Sequence, residues 1–337
     1  MILPPEITSG GEYSPPAPEL RRLDSRNRGR PLDEPLSMTP LRRLLAAVLI
    51  GTMSALLSGC SFWGLVNAAQ SKSDSEIAAA IAYGGHPRQR MDIYRPARPA
   101  ENAAVIIFFY GGAWQRGNRE NYEFVGRRLA SMGHYAVVPD YRVYPEVRFP
   151  DFVFDGAKAT AHVLDNLSEI AGSRRPVFLM GHSAGAHIAM LLAVDSRYLD
   201  SVGQRTAALA GVIGLAGPYD FLPLTSEKLQ QVFPTAQAQY RSQPINFIDP
   251  DDPPALLAHG DDDRVVWTRN SIRLANDLEK AGVEVELKIY PGVSHIGVMT
   301  PFVGFLDDDI GLLDDVQRFV STGRLPNSEA RARFTSL

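Results

Sequence analysis

The chain has 337 residues, 45% of them hydrophobic and 21% charged, which suits one sizeable folded domain with something attached in front. A formal charge of −4 gives no basic excess for holding a nucleic-acid backbone. A single cysteine, Cys60, excludes any intrachain disulfide.

Residues 1–37 are rich in proline and arginine and show no periodic apolar face, so they are expected to be disordered. Met38 stands just before Thr39-Pro40-Leu41-Arg42-Arg43 and makes a conventional translation start. Residues 38–59 read as a signal peptide. Arg42-Arg43 lead into Leu44 to Leu57, an apolar stretch too short to span a membrane comfortably but of signal-peptide length. Residues 60–82 are expected to be a linker or arm, with Lys72 to Tyr83 a candidate cap helix.

A catalytic domain is expected over 83–323, followed by a tail over 324–337. The predicted strands are Met91–Tyr94, Val105–Phe109, Tyr135–Pro139, Val177–Met180, Gly211–Leu215, Ala255–Ala258 and Glu284–Tyr290. The predicted helices are Asn121–Ser131, Asp151–Ile170, Ala186–Val194, Thr268–Ala281 and Phe302–Val320. Continuously apolar strands alternating with amphipathic helices imply an α/β fold with a mostly parallel sheet covered on both faces. Residues 221–251 form an insertion whose length suits a small cap over the site; the alternative is a surface excursion with its own small apolar cluster. Asp307-Asp308-Asp309 and Asp314-Asp315 read as the solvated face of the last helix, with cation sites as the alternative.

The chemistry is concentrated in Gly181-His182-Ser183-Ala184-Gly185, a G-x-S-x-G sequence. It follows the apolar run Pro176 to Met180 and precedes a predicted helix, the strand–turn–helix setting that lifts a serine hydroxyl above a sheet edge. A serine hydroxyl is a weak nucleophile, so a base and an orienting carboxylate must come from elsewhere, in the order serine, acid, histidine. The acid candidates are Asp261, Asp262 and Asp263, just beyond the strand Ala255–Ala258. His295 is the sole histidine after them and is therefore the candidate base. The remaining histidines read as strand-end, helix-surface or turn residues. None forms an H-E-x-x-H pair, so no metal site is expected.

The run His259 to Val266, H-G-x-x-D-x-x-V, resembles the acid loop of α/β-hydrolases, and the resemblance puts the acid at Asp263. Tyr110-Gly111-Gly112-Ala113-Trp114 is similar to the H-G-G-G-W loop of hormone-sensitive-lipase-like esterases and kynurenine formamidases. Asp140-Tyr141-Arg142 to Pro145-Glu146 resembles their D-Y-R-x-x-P-E segment. These matches run in the family's order from about Met91 to Phe319. They imply an α/β-hydrolase fold and two-step acyl transfer on a small-molecule ester, with no cofactor. They assign the oxyanion donors to the N–H groups of Gly112, Ala113 and Ala184. Tyr110 departs from the family's histidine, whose side chain supports the loop. An amide hydrolase of the formamidase type is the alternative enzyme. A surface-anchored binding protein on a retired hydrolase scaffold is the alternative outside enzymes.

Leu57-Ser58-Gly59-Cys60 resembles the lipobox of bacterial lipoproteins. The resemblance implies cleavage before Cys60, lipidation of its thiol and a membrane anchor in the bacterial cell envelope, with Ser61 compatible with outer-membrane sorting at the periplasmic face. A secretory signal or membrane anchor that ends near a cysteine is the alternative.

Overall fold

Val105–Phe109, Tyr135–Pro139, Val177–His182, Gly211–Leu215 and Ala255–Gly260 bury every one of their residues, as strands do when both faces of their sheet are covered. In the computed structural model, which describes residues 66–67 and 75–322, these runs form β3, β4, β5, β6 and β7. Cys60, the signal segment and the tail from 324 lie outside the described residues. With β1 (Ser75–Ala82), β2 (Arg90–Pro96) and β8 (Val285–Tyr290) they make one eight-stranded sheet in the order β1-β2-β4-β3-β5-β6-β7-β8. From β4 to β8 all neighbours are parallel; β1–β2 and β2–β4 are antiparallel.

The arm expected as a cap helix is instead the edge strand β1. Its alanines favour a helix in isolation. Pairing with β2, from Ser75 opposite Pro96 to Ala82 opposite Arg90, overrides that preference. A bulge between Ala78 and Ile81 keeps the register, with Ala80 at φ 56 and its N–H bonded to Asp92 Oδ1 at 2.7 Å. The sheet therefore begins at Ser75, ahead of the expected domain start at 83.

Two predicted helices end differently. Asp151–Ile170 is broken at Asn166 into Asp151–Asp165 and Leu167–Ala171. Phe302–Val320 is a 3-10 turn (Gly297–Phe302), a loop and then Leu312–Thr322. Gly311 turns the chain at φ 73, and the Asp308 carboxylate accepts the N–H groups of Leu312 and Leu313 at 3.1 and 2.7 Å. Asp308 is thus a cap for the helix start, where free N–H groups need acceptors, and not part of a solvated helix face.

The parallel register brings the functional loops to one edge. Phe109 pairs with Gly181 and Gly260 with Tyr290, so β3, β5, β7 and β8 deliver their following loops side by side. The insertion carries two short helices, Glu227–Val232 and Ala236–Arg241, and a 3-10 turn, Pro244–Phe247. It does not keep a cluster of its own. Phe221 and Phe233 pack against Trp114, with ring centroids 5.8 and 4.9 Å away, so the insertion joins the domain core beside the Gly111-Gly112 loop.

Candidate active site

Ser183 sits between the end of β5 and the helix Ala184–Val194 with φ 55 and ψ −121, a conformation that L-residues avoid and that points its side chain away from the sheet. Two glycines permit it. A Cβ built on Gly181 would overlap the Gly185 carbonyl, and one on Gly185 would overlap the Phe109 carbonyl oxygen. Gly185→Ala should therefore cost at least about 1–3 kcal/mol from overpacking, read as a lowered Tm in thermal denaturation. An unchanged Tm would mean that helix and strand separate freely here.

Ser183 Oγ lies 2.9 Å from His295 Nε2, and His295 Nδ1 lies 2.7 Å from Asp263 Oδ2. Ser183 is half-buried, whereas Asp263 and His295 are 6% and 7% exposed. Oδ1 of Asp263 accepts the N–H groups of Val265 and Val266 at 2.8 and 2.9 Å. Burial pushes the Asp263 carboxyl pKa up, but hydrogen bonds from His259, His295 and Val266 outweigh it and hold the group well below the usual carboxylate range. It is an anion at neutral pH. The other acid candidates stand apart: Asp261 is exposed and accepts the Gly292 N–H at 2.6 Å, while Asp262 is exposed and paired with Arg264 at 3.0 Å.

The loop after β3 faces the same place. Gly112, Ala113 and Trp114 have φ values of 136, 54 and 58. Three successive residues of positive φ turn the backbone tightly here, a path that L-residues seldom take. A Cβ on Gly112 would overlap the Arg116 carbonyl oxygen. Among the described hydrogen bonds, none engages the N–H of Gly112, Ala113 or Ala184. Ala184 opens its helix, where N–H groups lack helical acceptors. Beneath the loop, Tyr110 Oη donates to Asp140 Oδ1 at 2.8 Å and accepts from Arg88 Nη2 at 3.0 Å. Its ring is stacked between those of Tyr122 and Tyr141, 5.3 and 4.7 Å away. Burial, then the Asp140 charge, push its phenol pKa well above the ordinary value, so it remains a donor. Tyr110 supports the loop from below.

A family model, BD-FAE, matches residues 91–278, more than half of the chain, a span that includes Gly112, Ser183 and Asp263 and stops short of His295. The chain belongs to the BD-FAE family. It is 28% identical over 243 residues to a probable isoprenylcysteine alpha-carbonyl methylesterase of Oryza sativa, covering 66% of this chain and 59% of that protein. It thus spans less than two thirds of that relative's length. It is 24% identical over 263 residues to the kynurenine formamidase of Danio rerio, covering 76% of this chain and 84% of that protein. The crystal structure of esterase B from Lactobacillus rhamnosis superposes with a TM-score of 0.67 at 19% identity, covering 88% of this chain and 99% of that one; at this identity it establishes the shared α/β-hydrolase fold.

The BD-FAE domain also uses three histidines that read as ordinary strand-end, helix-surface or turn residues in the sequence. His187 is fully buried: Nδ1 accepts the Trp114 indole N–H at 3.2 Å and Nε2 donates to the Ser242 carbonyl at 2.6 Å. Burial lowers its pKa to about 3, so it stays neutral while tying the loop after β3 to the insertion. His182 donates from Nε2 to the His295 carbonyl at 2.9 Å, and burial, with the nearby His295, lowers its pKa to about 3. His259 reaches Asp263 directly, Nε2 to Oδ2 at 3.1 Å. The contacts of His182 and His187 have no sequence signal, because their partners lie 55 to 113 residues away, whereas His259 stands four residues before Asp263 within the H-G-x-x-D-x-x-V run. Among the described residues no group of three or more His, Cys, Asp or Glu side chains is arranged to hold a metal ion, and no helix is long and apolar enough to cross a membrane.

Proposed function

We propose that this BD-FAE protein hydrolyses carboxylic esters by two-step acyl transfer. The observation that carries this reading is the continuous hydrogen-bonded chain Ser183–His295–Asp263, set beside three N–H groups that engage no acceptor among the described residues. In the first step His295 Nε2 takes the Ser183 proton as Oγ attacks the ester carbonyl carbon. Asp263 holds Nδ1–H and stabilises the imidazolium that forms. The N–H groups of Gly112, Ala113 and Ala184 receive the oxyanion, each such donor being worth about 3 kcal/mol in the transition state. His295 then gives its proton to the departing alcohol oxygen. Water deacylates Ser183 with His295 again as base, releasing the acid. These residues hold and move every proton of the cycle, so the reading calls for no cofactor.

The methylesterase relative supports an ester as substrate; the formamidase relative gives an amide a specific second claim. A panel of p-nitrophenyl esters of increasing acyl length, run against N-formylkynurenine, decides between them. Faster turnover of the formyl amide would transfer the assignment to the amidase. A retired binding scaffold is the poorest fit, since a lost catalytic step leaves no use for a Ser–His–Asp chain; failure of a fluorophosphonate probe to label the protein would revive it.

For location, the lipobox-like Leu57 to Cys60 carries the proposal of a lipid-anchored envelope protein. Two acyl chains anchor stably where one is marginal. The full-length protein expressed in a bacterium should fractionate with membranes and be released only by detergent. Cys60→Ser should abolish lipid labelling while leaving ester turnover intact. An unmodified Cys60 following an uncleaved Arg42-to-Gly59 segment would remove the lipoprotein reading without touching the hydrolase.

A further inference from the structure

Asp263 Oδ2 receives hydrogen bonds from two imidazoles, and the acyl-transfer scheme uses only one of them. Resting on that scheme, we propose that His259 is a positioning residue: its Nε2–H holds the Asp263 carboxylate in the orientation that faces His295.

His259 is the penultimate residue of β7, fully buried, four residues before the acid. Its Nε2 faces two acceptors, the Val266 carbonyl at 2.8 Å and Asp263 Oδ2 at 3.1 Å. A nitrogen between two acceptors must carry the hydrogen. Nδ1 faces the Ser271 hydroxyl at 2.8 Å, which donates to it. Ser271 is itself fully buried on the helix Arg269–Ala281, so that helix braces the ring of His259 from its other side. Asp263 is thereby held by four donors, two backbone N–H groups on Oδ1 and two imidazole N–H groups on Oδ2.

Burying an imidazole costs free energy that an apolar side chain in the same space would not. That cost is offset only if its polar atoms are used, and here both are. The torsion of a carboxylate about its last bond is soft. With the Oδ2 side held by His295 alone, the acid moves whenever the base moves during proton transfer. His259, braced by Ser271 and Val266, gives Oδ2 a fixed second point.

The test compares His259→Leu, His259→Gln and Ser271→Ala with wild type, using p-nitrophenyl acetate across a pH series. Glutamine places an N–H close to the position of Nε2; leucine fills the space without a donor. His259→Leu should lower kcat by roughly 10–100-fold, the size expected of a small displacement at a reacting group, with KM within about twofold. His259→Gln should recover most of the loss. The groups facing His295 are Asp263, Ser183 and His182. With the His259 donor removed, the Oδ2 charge rests more fully on His295 Nδ1–H and favours the imidazolium. The acid limb of the kcat/KM profile should therefore move to higher pH in His259→Leu and stay near wild type in His259→Gln. Ser271→Ala, which removes the contact bracing the ring at Nδ1, should show a smaller loss with the same direction of shift.

Equal losses for leucine and glutamine with no movement of the acid limb would reduce His259 to packing and overturn the proposal. So would wild-type kcat in His259→Leu. If the leucine variant does not fold, the glutamine and Ser271→Ala profiles decide by the same criteria. Absence of turnover in wild type itself would count against the hydrolase and not against His259.

Discussion

Ser183→Ala should abolish covalent capture of a fluorophosphonate probe and lower ester turnover by at least about 10,000-fold, while Tm stays close to wild type. The size follows from what is removed. Ser183 Oγ is the hydroxyl within hydrogen-bond reach of His295 Nε2, so without it the base has nothing to activate but water. The fold should survive because alanine keeps the Cβ and loses only an atom on a half-buried side chain. The strained backbone at φ 55 is fixed by the crossing of β5 and its helix, and alanine neither adds to that strain nor relieves it. Binding and the oxyanion donors remain, so a residual rate above background is expected. Hydrolysis near the wild-type rate would place the nucleophile elsewhere in the chain.

The elbow was legible in the sequence because its chemistry is local. Gly181 and Gly185 are needed by contacts within the turn and with the adjacent strand, and the apolar run before it could only be a buried strand. The candidate acid and base were picked out for a different reason: His295 was the single histidine after the acid cluster, and the H-G-x-x-D-x-x-V resemblance selected among three neighbouring aspartates. The structure joins that aspartate, and not Asp261 or Asp262, to His295. What was not legible depends on distant partners. The β1 segment is alanine-rich and becomes a strand only because β2 pairs with it. The last helix starts at Leu312 because Gly311 and Asp308 turn and cap it there, a local signal masked by the run of acidic residues that suits a solvated helix face equally well. His187 reads as a helix-surface residue until Trp114 and Ser242, from two other loops, enclose it. Tyr110 was expected to support its loop as the usual histidine does; the buried Asp140 and the Tyr122 and Tyr141 rings explain how a phenol fills that place.

Asp263→Asn should lower kcat by roughly 10,000-fold, the scale seen when an orienting carboxylate becomes an amide and the imidazole adopts the wrong tautomer. An asparagine oxygen can accept from the two imidazoles or from the two backbone N–H groups, and its NH2 group is then set against the donor pair on the other side, His259 and His295 or Val265 and Val266. Asp261→Asn and Asp262→Asn should stay within a few-fold of wild type, because one accepts a backbone N–H on the surface and the other a solvated arginine. Three equal losses would mean that loop shape, and not one charge, sustains turnover. The hydrogen bonds from His259, His295 and Val266 also set a pH window for stability. They depress the Asp263 pKa in the folded state below its unfolded value near 4, so the stability they contribute is present above about pH 4 and lost as pH falls toward the folded value. Below pH 4, wild type should therefore lose Tm faster than Asp263→Asn, whose amide takes up no proton. Parallel melting curves for the two proteins between pH 5 and pH 3 would show that the buried charge, though needed for turnover, is not held by the fold in the way these hydrogen bonds require.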